Sequence, residues 1–360
     1  MKFTISSVLF FSWIFCCSAV EAGDSTYYFY HGLPYGSEKN FHPLTVIVNG
    51  GFGIMQIDNR STKINSIDFR TGASNVWMNI THPFREVKKF GVNKFLTSEV
   101  IPTKLKASGA QWVPNYQLHL IGGGMTYRTM YEWYRYHKYQ NPRVQALVSL
   151  AVYNFLNEIV ENNSYEGTNV DPIADMLIFD PLSVLLFSFD PVARFFGRTL
   201  HMADWSFQPV ITPEGTIENV GQNFNIKLKL PGENPWSVFC FFGVHGTVGL
   251  SYAFKNGNCV SAGGGIVAKD LVDVDPDTQE GVKTTTFKWT AGIFYDRNNS
   301  LLASLILAGT KGYKVRLNVY PGLIPTGKYS PGLFCALGKQ EELIFGIHMH
   351  NIPIGLGYHF

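Results

Sequence analysis

Over 360 residues only 16% of this chain is charged, while 15% is aromatic and 35 residues are glycine. A net charge of +2 is too balanced for a nucleic-acid surface. This composition argues against an ordinary soluble domain. It suits a transmembrane β-barrel, with an apolar lipid face, aromatic girdles and a crowded, Gly-tolerant interior.

Lys2 and the apolar run from Val8 to Ala19 lead into Val20-Glu21-Ala22. That pattern reads as a signal peptide over residues 1–22, cleaved before Gly23. An uncleaved anchor is the alternative. Cys16 and Cys17 leave with the signal peptide, and Cys240, Cys259 and Cys335 remain. An odd number of thiols cannot form a complete disulfide framework, and no pair has metal-ligand spacing. Residues 23–116 read as an aromatic lead-in and the first strands. Leu44, Val46 and Val48 fall on one strand face, Asn49-Gly50-Gly51 breaks it, and Phe52 to Ile57 could return. Further short strands are expected around 65–80 and 92–101.

Over 117–200 the period changes to that of a helical insert. Thr126 to Tyr139 reads as a helix ended by Asn141-Pro142. Pro142 opens a second helix that runs to Asn162, apolar nearly all round from Ala146 to Phe155. Asp171-Pro172, Asp180-Pro181 and Asp190-Pro191 then predict three short helices or one kinked rod. The best apolar window, Met176 to Phe189, contains Asp180 and Pro181. It is shorter than the ~20 residues a bilayer needs.

From Ala203 the period is two. Phe224, Ile226, Leu228 and Leu230 alternate with polar residues, as do Val248, Leu250, Tyr252 and Phe254. Further apolar faces fall at 287–295, 301–307, 313–319 and 343–349. Lys227, Lys229, Lys314 and Arg316 are expected on the inner face, because each would cost about 2–4 kcal/mol at mid-depth in lipid. The last stretch, Ile352 to Phe360, alternates to a terminal aromatic. It reads as the closing strand of a barrel, with Phe360 presented to the barrel assembly machinery; an edge strand of a soluble sandwich is the alternative. The expected fold is mostly β: an antiparallel transmembrane β-barrel of about 12 strands with an α-helical insert, lodged among outer-membrane lipids.

The insert carries the one concentrated ionisable set. Arg128 and Glu132 lie four apart on a helix face, as Asn154 and Glu158 do on the next. Asp171 and Asp175 share a third, and His119 precedes Gly122-Gly123-Gly124. Taken singly, each has an ordinary structural role: an ion pair, a cap, a solvated acid. Glu158 follows an apolar helix, so its carboxylate needs a partner. Arg128 is the expected one, bridging the first two helices.

The run His119, Gly122–Gly124, Arg128, Glu132, Glu158, Asp171 and Asp175 resembles an uncharacterised family of Gram-negative outer-membrane proteins. These have a signal peptide, a helical His/Gly…Arg…Glu…Glu…Asp insert and a C-terminal barrel. The His…Glu…Asp order is also similar to that of VanZ-like helical proteins. The chain departs from that pattern at Asp180-Pro181, where the resemblance implies an uncharged residue before the proline, and in the segment after it, where the resemblance implies a glycine-rich helix. The resemblance implies location and architecture and carries no activity. Two functions fit. One is an outer-membrane barrel with a helical plug, structural or passing a small or lipidic solute. The other is a lipid- or lipopolysaccharide-modifying enzyme with His119 as general base or metal ligand. Glu132, Glu158 and Asp175 would orient or ligate. Ser149 and Ser183 are the nearest candidate nucleophiles. No phosphate loop, nucleophile elbow or cofactor motif is present.

Overall fold

The computed structural model describes residues 26–102, 112–164, 169–272, 284–324, 330–338, 342–350 and 352–360. The expected signal peptide, residues 1–22, lies outside them. The chain divides into two compact units. A sheet-bearing unit contains Tyr27–Ser66, Arg194–Asp270 and Thr286–Phe360. A mainly helical unit contains Ile67–Ala193 together with Leu271–Thr285.

The sheet has thirteen strands. They are β1 (Ala203–Asp204), β2 (Val210–Ile211), β3 (Ile217–Glu218), β4 (Phe224–Lys229), β5 (Trp236–Phe242), β6 (His245–Ala253) and β7 (Asn258–Val272). β8 (Thr284–Arg297), β9 (Ser300–Leu307), β10 (Val315–Val319), β11 (Gly332–Leu337), β12 (Leu343–His348) and β13 (Gly355–His359) follow. β4 to β13 are neighbours in chain order, β1 flanks β4, and β2 then β3 lie beyond β13. Tight turns set this order. Asn298 and Asn299, both at positive φ, link β8 to β9 as a hairpin of this twist requires.

The expected closed barrel of about 12 antiparallel strands is not what forms. The sheet is open, and β13 pairs with β2 in parallel. Pro209 contributes to the difference, because it has no N–H to extend a ladder and separates β1 from β2. Its carbonyl instead accepts the Gly355 N–H at 2.7 Å. The edge pieces β1 and β3 are two residues long, and past β1 its pairing with the chain entering β4 continues through single bonds. Trp205 N–H donates to Asn223 O at 2.9 Å and Phe207 N–H to Gly221 O at 3.1 Å.

Nor is the chain mostly β, since helix exceeds strand. The strands expected before residue 116 are the reason. Residues 44–57 form α1's neighbour rather than a hairpin: α1 (Gly36–Asn40) is followed by α2 (Pro43–Gly51) and a 3-10 turn, Gly53–Gln56. His42 caps α2 by accepting the Leu44 N–H at 3.2 Å, and Pro43 occupies the first turn. These start signals override the apolar alternation. The helices then bond to the sheet unit's buried backbone. Asn49 donates to Phe207 O at 2.9 Å and accepts the Gly221 N–H at 3.0 Å.

The two faces of the sheet differ in polarity. Register aligns Ile293, Leu305, Leu317, Cys335, Phe345 and Tyr358 in one row across β8 to β13. Ile293, Leu317, Phe345 and Tyr358 in this row are exposed. The row one residue away holds Phe294, Ser304, Asn318 and Phe334, all buried. Lys227 and Arg316 are buried on that inner side, alongside an aromatic cluster of Trp205, Phe207, Phe239, Phe241 and Phe294. Lys229, on the same face as Lys227, lines a cavity with it while remaining exposed, and Lys314 is exposed just before β10. Cys240, Cys259 and Cys335 are free thiols.

The helical unit begins with α3 (Phe69–Thr81), where strands were expected around 65–80. Asp68 caps it by accepting the Thr71 N–H at 3.0 Å. α4 (Pro83–Phe90) and α5 (Val92–Phe95) follow, and Leu96–Val100 is a π-turn in place of a strand. The π-helical Trp112–Gly122 runs into α6 (Gly123–Tyr136), and Pro142 opens α7 (Pro142–Glu161). α8 (Asp171–Ala174), the π-turn Asp175–Phe179, α9 (Asp180–Ser188) and α10 (Asp190–Arg194) each begin at an aspartate. Among the described residues no single helix is long and apolar enough to cross a membrane.

Candidate functional site

Within the helical unit the glycine run shapes the site. A Cβ on Gly124 would lie 2.2 Å from Phe187 Cδ2, so the bare backbone of α6 lets α9 approach closely. Phe187 is buried and cannot swing to solvent. Gly124→Ala should therefore cost about 1–3 kcal/mol by overpacking, measured by urea unfolding of the helical unit's signal. An unchanged midpoint would show that the close approach is not needed.

That approach sets α9 beside the π-helical segment that bears His119. His119 Nδ1 lies 3.0 Å from Asp180 Oδ1, and Nε2 lies 3.4 Å from Asp175 Oδ2. Residues five apart diverge by about 140° around an α-helix. The π-turn Asp175–Phe179 closes i to i+5 instead and brings Asp175 and Asp180 to the same imidazole. Glu158 comes from the buried face of α7. Its Oε2 accepts from Asn162 Nδ2 at 3.1 Å, and Asn162 also accepts from Asn169. One ligand atom each from His119, Glu158 and Asp175 lies within 4.8 Å of the others.

The electrostatics are those of carboxylates crowded away from water. Burial would lower the His119 pKa, but Asp175, the Asp180 hydrogen bond and Glu158 outweigh it and hold it well above its ordinary value. Burial raises the Asp175 carboxyl well above the usual range; His119 opposes this, and Asp171, Glu158 and Asp180 add to it. Burial likewise raises Asp180 against the pull of His119.

The structure thus brings together three of the four expected site residues: His119, Glu158 and Asp175. Glu132 is elsewhere, bonded to Arg128 Nε at 2.9 Å. Arg128 was the expected partner of Glu158, yet its guanidinium is seated between Glu132 and Asp190, with Nη2 2.8 Å from Asp190 Oδ1. Glu132 projects from α6 one turn past Arg128, which directs the pair toward α10. Asp180 was read only as a helix start. Its role beside His119 was signalled by the residue that departs from the resembled family's pattern. The candidate nucleophiles are both engaged: Ser149 Oγ with Tyr134 Oη at 2.8 Å, and Ser183 Oγ donating to Asp180 O at 2.8 Å.

One half-buried imidazole, oriented from behind by a carboxylate and faced by two more, can hold a proton or a cation. Neither Ser149 nor Ser183 is hydrogen-bonded to the imidazole. Compared with known proteins, the chain matches no family model, no curated protein and no solved structure.

Proposed function

We propose that the protein resides in the bacterial outer membrane, its sheet facing lipid, and serves a structural role or the passage of a small or lipidic solute. The aligned exposed row from Ile293 to Tyr358 carries this reading. Water-soluble proteins rarely expose a contiguous apolar patch of more than a few hundred Å². A sheet with apolar residues outside and Ser304, Asn318 and Arg316 inside presents an apolar surface to its surroundings and keeps its charge on the other face. The same unit holds a cavity of about 430 Å³, lined in part by Arg198, His201, Lys227, Lys229 and Asp296, which would suit a small polar or anionic-headed solute.

Carbonate extraction of membranes tests it. The wild-type chain should stay in the pellet and need detergent for release. Ile293→Lys with Leu317→Lys places two charges in the exposed row, each costing about 2–4 kcal/mol at mid-depth. That variant should lose most of its membrane-held fraction, while Glu233→Lys, at an exposed position outside the row, should not. Release of wild-type protein by carbonate, or equal retention of the double variant, would refute the lipid-facing sheet.

A second reading, a lipid-modifying enzyme, is favoured by the convergence of His119, Glu158 and Asp175. With both serines engaged, its nucleophile would be water.

A further inference from the structure

We propose that His119, Glu158 and Asp175 form a binding site for one divalent transition-metal ion of the zinc or manganese class. The three donors come from separate segments, and their ligand atoms lie within 4.8 Å of one another. An ion of that class takes N and O ligands at about 2.0–2.2 Å, so a triangle of that size can close on it with small side-chain rotations.

The surroundings match a built site rather than a chance acidic cluster. Metal-bound histidines usually give their second ring nitrogen to a carboxylate, which fixes the tautomer and the ring plane. Asp180 Oδ1 stands in that position, 3.0 Å from His119 Nδ1, leaving Nε2 3.4 Å from Asp175 Oδ2. Asp175 Oδ1 is buried and has no hydrogen-bond partner among the described residues. A buried carboxylate oxygen in that state is costly unless a cation meets it. Glu158, Asp175 and Asp180 are all buried beside His119, and three carboxylates held out of water around one imidazole favour a cation among them. His119 and Asp175 also both sit on π-turns, irregularities that are frequent at functional sites and that here aim the two ligands.

The imidazole disfavours Mg²⁺ and Ca²⁺, which prefer all-oxygen shells. Three protein ligands leave a coordination position open, as catalytic rather than structural zinc sites do. The site rests on the helical unit alone, so it stands or falls independently of the lipid-facing sheet.

The test uses the untagged full chain in detergent, stripped with a chelator and titrated with Zn²⁺ or Mn²⁺ alone. Calorimetry and elemental analysis should give about one ion per chain. His119→Gln and Asp175→Asn should each weaken binding at least tenfold. Asp180→Asn should weaken it about 10–100-fold with the stoichiometry kept, the range found for partners that orient a ligand. If a variant does not fold, the wild type still decides the question. Pulsed EPR of its Mn²⁺ form should show one coupled imidazole nitrogen. Absence of stoichiometric binding, absence of nitrogen coupling, or unchanged affinity in folded His119→Gln and Asp175→Asn would overturn the proposal.

Discussion

Arg128→Ala should destabilise the helical unit by about 3–5 kcal/mol, the range for removing one partner of a buried ion pair. The guanidinium is buried on α6 and spends its fork on three acceptors. Nε donates to Glu132 Oε1 at 2.9 Å, Nη2 to Asp190 Oδ1 at 2.8 Å and Nη1 to Phe187 O at 3.3 Å. Only Glu132 is trapped when Arg128 goes, because its side chain is 0% exposed while that of Asp190 is 26% exposed. Asp190 can rehydrate; Glu132, held out of water, must then stay charged with this cation gone or take up a proton. Limited proteolysis and urea unfolding should both register the loss. The double change Arg128→Met with Glu132→Leu removes the buried carboxylate along with its cation and should recover most of the stability. Arg128→Lys should fall between, since an ammonium keeps the charge but cannot bridge two carboxylates and a carbonyl in one plane. If Arg128→Ala unfolds at the wild-type urea concentration, the pair is solvated and the bonds seen here contribute little.

What could be read from the chain divides by how local the cause is. The period-two pattern after Ala203 anticipates strands at Phe224–Lys229, His245–Ala253 and Ser300–Leu307, because alternation is fixed by strand geometry alone. The burial of Lys227 and Arg316 follows from the same alternation. The Asp-Pro pairs also mark helix starts correctly, since a proline at the first turn loses no helical hydrogen bond. Closure is another matter. Whether a sheet stays open depends on which strands meet at its ends, and nothing in the local period of Gly355–His359 foretells a parallel partner at Val210. The N-terminal error has a different origin. Leu44, Val46 and Val48 alternate as a strand would, but a cap and a proline just before them start a helix. The site was half legible. His119, Glu158 and Asp175 could be picked out as chemically competent residues among apolar neighbours. Asp180 could not, because its approach to His119 depends on a π-turn that shifts the helical phase by one residue. The pairing of Arg128 with Asp190 was hidden for a similar reason: it needs the position of α10, not the sequence of α6.

Lys227→Met is the corresponding experiment in the sheet unit, with an expected loss of about 3–5 kcal/mol. Lys227 Nζ donates to Asp296 Oδ2 and sits 4.9 Å from the centre of the Trp205 ring. Asp296 is only 1% exposed, and its other oxygen accepts the Asn299 N–H at 3.1 Å. That bond anchors the turn between β8 and β9. Methionine fills much of the lysine stem's volume and keeps contact with Trp205, so the loss reports the charge rather than the packing. A carboxylate deprived of its cation there must be dehydrated alone or protonated, and either state weakens the turn. Asp296→Asn should be milder than Lys227→Met, since an amide oxygen can still accept from Asn299 and the lysine borders the cavity near Lys229, where water can reach it. Lys227→Met combined with Asp296→Asn should be more stable than Lys227→Met alone, because no buried charge is then left over. Refolding in detergent, followed by tryptophan fluorescence, ranks the three variants. If Asp296→Asn proves the most damaging, the carboxylate matters more to the turn than the ammonium does to the carboxylate. Equal midpoints for all three would mean that the inner face is wet enough to screen the pair, and that Lys227 belongs to a solvated passage.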